Sequence, residues 1–391
     1  MRLVRGRRIV VSTVVGGALI AATLAALPTI HGLSFVVRAT DMQGFSRRLA
    51  NLGTDAARER EIAIPTTRGP LRARLYQPIR RHRRAVLLVS GLHRSGIDEP
   101  RLVHFARQLS SDDLAIVTPD IPQLSNFEIT PAITDAIERA AVWVASESGL
   151  ADEGKVGMMG VSFSGGLSLV AAGRPSLTGR VAYVFALGAH DDLPRVLRYL
   201  CTGLEPARRQ GDATTYRSPH DYGVAVILLG VADHLVPPVQ VEPLQTAVRN
   251  YLAASVTDSV DKVQGAREFA AVRDLAATLA EPSATIVREI TNRDVAHLGP
   301  RLLPYIGFYG GDPALSPSKS PKPSAPVFLL HGTEDNVIPA IESEYLADDL
   351  RGHAPVRLLL SGLISHAQAV WPVHMKDVLQ LGSFSGDLLS R

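Results

Sequence analysis

The chain has 391 residues, 46% of them apolar and 20% charged, with a net charge of only +3. The chain is long enough for a large core in one or two domains, and its apolar fraction is ordinary for a globular protein. The basic residues are dispersed, which argues against a nucleic-acid partner, and the single cysteine, Cys201, excludes an internal disulfide.

The N-terminus carries Arg2, Arg5, Arg7 and Arg8 ahead of 19 uncharged, mostly apolar residues, Ile9 to Leu27, closed by Pro28. The run is near the length that crosses a bilayer, and basic residues before it predict a cytoplasmic N-terminus with the remainder exported. Its length favours an uncleaved signal anchor over a cleaved signal peptide, whose apolar core is shorter. The sequence therefore predicts a membrane-anchored catalytic domain on the extracytoplasmic side, or a secreted one if the segment is cut. Residues 31–60 read as a connecting segment.

From Glu61 the pattern changes. Glu61–Ile64 and Leu71–Tyr76 alternate by twos around the Thr67-Arg68-Gly69-Pro70 turn, which predicts a hairpin of edge strands. Ala85–Val89 is continuously apolar, as expected of a strand covered on both faces, and it ends in Ser90-Gly91-Leu92-His93. A helix follows, with Leu102, Phe105, Ala106 and Leu109 on one face. Leu114–Val117 is the next strand, running into Thr118-Pro119-Asp120-Ile121-Pro122, and Ile133, Ile137, Ala140 and Val144 mark another helix.

The strand Val156–Met159 then leads to Gly160-Val161-Ser162-Phe163-Ser164-Gly165-Gly166 and a helical pattern through Leu167 and Val170. A serine on a tight strand-to-helix turn is the layout of a nucleophile elbow, in which the residues two before and two after the serine must be small. Gly160 fills the first position. Ser164 fills the second, where the usual pattern has glycine. Without its context, the same stretch is a glycine-rich turn with solvent-facing serines.

Val181–Leu187 is another buried strand, ending in Gly188-Ala189-His190-Asp191-Asp192. Repeated strand-then-helix segments predict an α/β fold with a mostly parallel, doubly wound sheet, whose ligands bind beyond the carboxyl ends of the strands. The alternation breaks after Asp192. Residues 193–325 read as a helical cap insertion, with Tyr222–Leu229 open to either helix or strand, closed by a Pro/Ser-rich linker at 311–326. The sheet resumes with Val327–Leu330, ending in His331-Gly332-Thr333-Glu334-Asp335, and with Val356–Leu360, ending in Ser361 to His366. The core thus comprises 61–192 and 326–391.

Ser162, Asp335 and His366 each follow a predicted parallel strand, in that chain order. With Ser90-Gly91-Leu92-His93, Pro119–Pro122 and His331–Pro339, they resemble the α/β-hydrolase superfamily of serine hydrolases, near its dienelactone-hydrolase-like and esterase members. The resemblance implies an α/β-hydrolase fold and hydrolysis of an ester or related acyl bond through an acyl-serine. It implies Ser162 as nucleophile, His366 as base, Asp335 as its orienting acid, and the Leu92 and Phe163 N–H groups as oxyanion donors. The implied partner is a small-molecule ester. No metal or organic cofactor is required by that chemistry.

Rivals exist at each position. Ser164 competes as nucleophile. Asp191, Asp192, Asp233 and Glu334 compete as the acid, and His353 and His374 flank His366. His93 and His331 either line the pocket or satisfy loop backbone groups. An acyltransferase with the same triad, or a non-catalytic binding protein on the same fold, are the alternatives.

Overall fold

The computed structural model describes residues 26–41, 44–52, 54, 56–67, 69–79, 84–208, 213–365, 368–369 and 375–391. They divide into two compact units: those within Met1–Thr54 and Trp371–Arg391, and those within Asp55–Val370. In the first unit, a helix over residues 26–39 (α1) and a short helix Phe45–Ala50 (α2) join the C-terminal helix Met375–Leu389. Gly32 and Gly382 let α1 and that helix meet backbone to backbone, since a Cβ on Gly32 would lie 2.3 Å from the Gly386 nitrogen. The stretch 31–60 therefore holds most of α1, all of α2 and the opening of the first strand.

The second unit is built on an eight-stranded sheet. Its strands are β1 (Ala57–Ile64), β2 (Leu71–Pro78), β3 (Arg84–Val89), β4 (Leu114–Pro119), β5 (Val156–Val161), β6 (Val181–Leu187), β9 (Val327–Gly332) and β10 (Val356–Ser361). Between β6 and β9 in the chain, the strands among the described residues form a two-stranded ribbon, β7 (Leu204–Glu205) with β8 (Thr215–Tyr216). The spatial order is β1-β2-β4-β3-β5-β6-β9-β10. β2 pairs antiparallel with both β1 and β4, and all other ladders are parallel, so β2 alone runs against its seven companions. The apolar runs predicted as strands are these strands. The centres of β3, β4, β5, β6 and β9 are buried because helices α3 (Pro100–Ser110), α5 (Pro131–Ser146), α6 (Phe163–Ala172) and α14 (Ile341–Asp349) cover the sheet, with a single turn, α4 (Pro122–Ser125), after β4; β1 is largely exposed and β10 half-buried.

The chain between β6 and β9 is mainly helical: α7 (Leu193–Thr202), α8 (Tyr222–Leu235), α9 (Pro238–Val260), α10 (Lys262–Thr278), α11 (Ser283–Thr291), α12 (Val295–Leu302) and α13 (Ile306–Gly310). The ambiguous run Tyr222–Leu229 opens α8. It is apolar on every side because α7, α9, α12 and α13 surround it, so no polar face was left to reveal a helical period. The Pro/Ser-rich stretch is packed rather than loose. It forms two 3-10 turns, Pro313–Leu315 and Pro317–Lys319, and Ser316 is buried, its Oγ accepting the Leu193 N–H at 2.9 Å. The final helix, Met375–Leu389, is α15. After β10 comes a short ribbon of β11 (Ile364–Ser365) with β12 (Gln368–Ala369).

Candidate active site

The site begins with the strand order. β5 lies between β3 and β6, and Val89 is the register partner of Gly160. The Ser90–Leu92 loop therefore leaves the sheet beside Val161 and Ser162. Gly91 is what lets the two approach: a Cβ there would lie 3.3 Å from the Val161 carbonyl and 3.5 Å from Ser162 Cβ.

Ser162 has φ 58° and ψ −131°, a backbone conformation that non-glycine residues rarely adopt. It is the strained turn that the elbow motif predicts. Ser162 N–H donates to the Leu187 carbonyl at 2.6 Å, and Gly165 N–H donates to the Ser162 carbonyl at 2.8 Å, so neighbouring backbone holds the turn on both sides. Gly160 is required by space. A Cβ on it would meet the Ser164 carbonyl oxygen at 2.4 Å and Gly165 Cα at 2.7 Å, both backbone atoms.

Ser164 is fully buried within α6. Its Oγ accepts the Val161 N–H at 3.0 Å and faces the carbonyls of Val161 at 2.9 Å and Val89 at 3.1 Å, to either of which it can donate. The hydroxyl thus ties the end of β5 to the end of β3. That use, and its complete burial, remove it as a rival nucleophile.

The N–H groups of Leu92 and Phe163 sit on either side of Ser162 along these two loops. Phe163 opens α6 and has no intrahelical acceptor for its N–H. Leu92 N–H has no protein acceptor among the described residues. Backbone N–H groups without an acceptor, one directly after the serine and one in the adjacent loop, are donors of the kind that can stabilise a developing oxyanion.

Asp335 follows β9 and is 1% exposed. Its Oδ1 accepts the N–H groups of Val337 at 2.8 Å and Ile338 at 3.0 Å, which hold the carboxylate in one orientation. One glycine separates it from the serine. Gly188, with φ 66°, sits where a Cβ would lie 3.5 Å from Asp335 Oδ2 and 4.0 Å from Ser162 Cα. In the sequence Gly188 is no more than the first residue after the Val181–Leu187 strand. A glycine directly after a buried strand was the available signal, but nothing along the chain says which two side chains it separates.

His366 and His374 lie outside the described residues. Four other histidines stand at or near the strand ends. His331 is fully buried; its Nε2–H donates to the Ile338 carbonyl at 2.9 Å, and its Nδ1 accepts from Ser343 Oγ at 2.6 Å. It closes the loop that carries Asp335. His93 Nδ1 accepts the Ser95 N–H at 3.2 Å, and burial lowers its pKa, so it is a neutral loop brace. His190 stacks on Phe163 with ring centroids 5.3 Å apart and an interplanar angle of 11°, and its Nε2–H donates to the Leu315 carbonyl. Burial lowers its pKa too. The neutral ring packs over Gly166, where a Cβ would be 2.5 Å from its Cε1. His353 is exposed on the turn before β10.

The rival acids have other partners. Asp191 and Glu342 are buried and share Arg195, at 2.9 Å and 2.5 Å. Burial, partly offset by that guanidinium, raises the Asp191 pKa to about 6. Asp192 caps α7 by accepting the Arg195 N–H. Asp233 is exposed near the end of α8 beside His234, and Glu334 is exposed and bonded to Arg217.

The sheet order, the elbow after β5 and the acid loop after β9 together define the architecture. The fold is the α/β-hydrolase fold with a helical cap. No protein-family model matches the chain, and no curated protein matches it. Solved structures similar to it include an esterase from Pyrobaculum calidifontis, 16% identical over 94% of this chain and 92% of that one, with a TM-score of 0.43. The carboxylesterase EstE1, cloned from a metagenomic library, is 15% identical over 88% and 92%, with a TM-score of 0.47. Esterase LipW from Mycobacterium marinum is 13% identical over 85% and 81%, also with a TM-score of 0.47.

Proposed function

We propose that the protein is a serine hydrolase that cleaves a small-molecule carboxylic ester through an acyl-serine. Ser162 attacks the acyl carbon as His366 takes its proton, Asp335 holds the imidazole, and the Leu92 and Phe163 N–H groups receive the oxyanion. His366 then returns the proton to the leaving alcohol, and water repeats the sequence to release the acid. The observation that carries this reading is the left-handed Ser162 with the Asp335 carboxylate one glycine away. A strained serine with a buried, oriented carboxylate one glycine away is more than an ordinary turn requires.

The test is labelling with a fluorophosphonate, beside turnover of p-nitrophenyl esters of graded chain length, in wild type and Ser162→Ala. Label and turnover that both vanish in the variant support the reading. Equal label in the two proteins removes it. Accumulation of a new ester when a second alcohol is added would redirect the assignment to acyl transfer.

We also infer that Ile9–Leu27 anchors the chain in a membrane, with the catalytic unit on the extracytoplasmic side. The support is the length of the uncharged run and the four arginines before it. No helix among the described residues is long and apolar enough to cross a membrane, and nearly all of this run lies outside them. Retention in the membrane pellet after alkaline carbonate, with the catalytic unit protease-accessible from the outer side, is the expected result. Release into the supernatant refutes it.

A further inference from the structure

Tyr199 on α7 donates its hydroxyl to the Asn336 carbonyl at 3.3 Å, and three residues of the segment 217–222 join the insertion further to the loops after β3 and β9. Tyr222, the first residue of α8, donates its hydroxyl to the Leu92 carbonyl at 2.8 Å. Two residues earlier, His220 N–H donates to the Asn336 carbonyl at 2.9 Å, beside Asp335. Arg217 reaches Glu334, on the other side of Asp335, at 2.7 Å. The segment 217–222 is thus fixed at one end to the acid loop after β9 and at the other to the loop after β3. Those strands are separated by β5 and β6, a span of about 14 Å at ordinary strand spacing. A segment bonded to both must cross the carboxyl ends of β5 and β6, where Ser162 and Gly188 sit.

The hydrogen bond to Leu92 matters because of which peptide it holds. The candidate oxyanion donor is the Leu92 N–H, one dihedral pair away from the Leu92 carbonyl. That carbonyl is held by Tyr222, and the N–H of the same peptide unit, on His93, donates to the Leu124 carbonyl at 3.2 Å. A planar peptide fixed at both edges leaves Leu92 little freedom to swing its own N–H. Tyr222 is suited to this: burial pushes its phenol well above the usual range, so it stays a donor, and its ring is held edge-to-face by Phe127 at 5.7 Å.

We propose that Tyr222 is a positioning residue for the oxyanion hole, so that the cap sets the geometry of catalysis as well as covering the site. This rests on the reading of Ser162 as an acyl-serine nucleophile. Tyr222→Phe keeps the ring and its contact with Phe127 and removes only the donor. Tyr305→Phe is the control, because Tyr305 also spends a hydroxyl of the helical insertion on a backbone carbonyl, that of His234, at the far end of α8 from Tyr222. Rates are measured per titrated site, so that any misfolded fraction drops out. Loss of a whole oxyanion donor costs 10²–10³ in rate, and a misaimed one costs less. Tyr222→Phe should therefore lower both kcat on a p-nitrophenyl ester and the fluorophosphonate labelling rate about tenfold, with KM within about twofold. Tyr305→Phe should leave both rates within about twofold of wild type. Unchanged rates in Tyr222→Phe, or equal losses in the two variants, overturn the proposal. Wild type that labels through Ser162 while Tyr222→Phe labels equally fast removes this inference alone; wild type without Ser162-dependent label removes the hydrolase reading and this inference with it.

Discussion

Ser164 stands where the elbow pattern has glycine, and its hydroxyl should be measurable as a tie between two strand ends. Ser164→Ala keeps the Cβ and the helix and removes only the oxygen. The Val161 N–H, which the hydroxyl accepts at 3.0 Å, is then buried without a partner. An unsatisfied buried N–H costs about 1–3 kcal/mol. The bond donated to the Val89 or Val161 carbonyl is lost as well, worth about 0.5–1.5 kcal/mol. The expected destabilisation is about 2–4 kcal/mol. Ser164→Gly, which restores the common pattern, should lose about 1 kcal/mol more, because glycine gives up more backbone freedom in α6. Loss of Ser162 labelling across a urea series reads this unit directly, and the midpoint should fall with the slope unchanged. A Ser164→Ala midpoint corresponding to less than about 0.5 kcal/mol would show that the hydroxyl carries none of the joint, and the reasoning from burial to stability at this position would be wrong.

Other perturbations separate the remaining interactions. Gly160→Ala places a methyl against backbone that has no room to shift, so the elbow should not close, and Ser162-dependent labelling should be lost even where circular dichroism retains the helices. Asp335→Asn should lower kcat by about 10⁴ with little change in thermal midpoint, because the amide oxygen can still accept from Val337 and Ile338 while the imidazole loses its anionic partner. Arg195→Met leaves Asp191 and Glu342 buried without their cation and should destabilise the unit by about 3–5 kcal/mol at pH 8. The deficit should shrink at pH 5. A buried acid whose folded pKa lies above its unfolded value penalises folding increasingly as pH rises from the unfolded to the folded pKa; for Asp191, raised to about 6 even beside Arg195, that window opens near pH 4. Urea midpoints at the two pH values check this, and an equal deficit at both refutes it. His190 titrates the other way: its pKa is lowered by burial, so its contribution is present above the ordinary histidine range and lost as pH falls through it. Replacing it by Gln should flatten the acid side of the stability curve.

The central parallel strands were legible along the chain because they are apolar almost without a break, the pattern of a strand covered on both faces, whereas β10, half-buried and carrying Arg357, shows it less cleanly. The elbow was legible because Gly160, Ser162 and the helical pattern after them are local. So was Asp335 as a loop residue after a strand. What the linear pattern could not express was partnership. Asp335 and Ser162 are 173 positions apart in numbering, and their nearness depends on β6 lying between β5 and β9 and on Gly188 carrying no side chain. The order of strands is a property of packing, not of any one segment.

The same physics divides the rest. Hydrophobic period and turn chemistry are short-range, so the sequence by itself determined the sheet, the insertion after Asp192 and the strained serine. Tyr222 and Ser164 look in the sequence like an ordinary helix-start tyrosine and an ordinary turn serine. Their roles come from acceptors at Leu92 and Val89, 130 and 75 residues away. A hydrogen bond is specific only once donor and acceptor are brought within about 3 Å, and it was the folded arrangement that chose those partners.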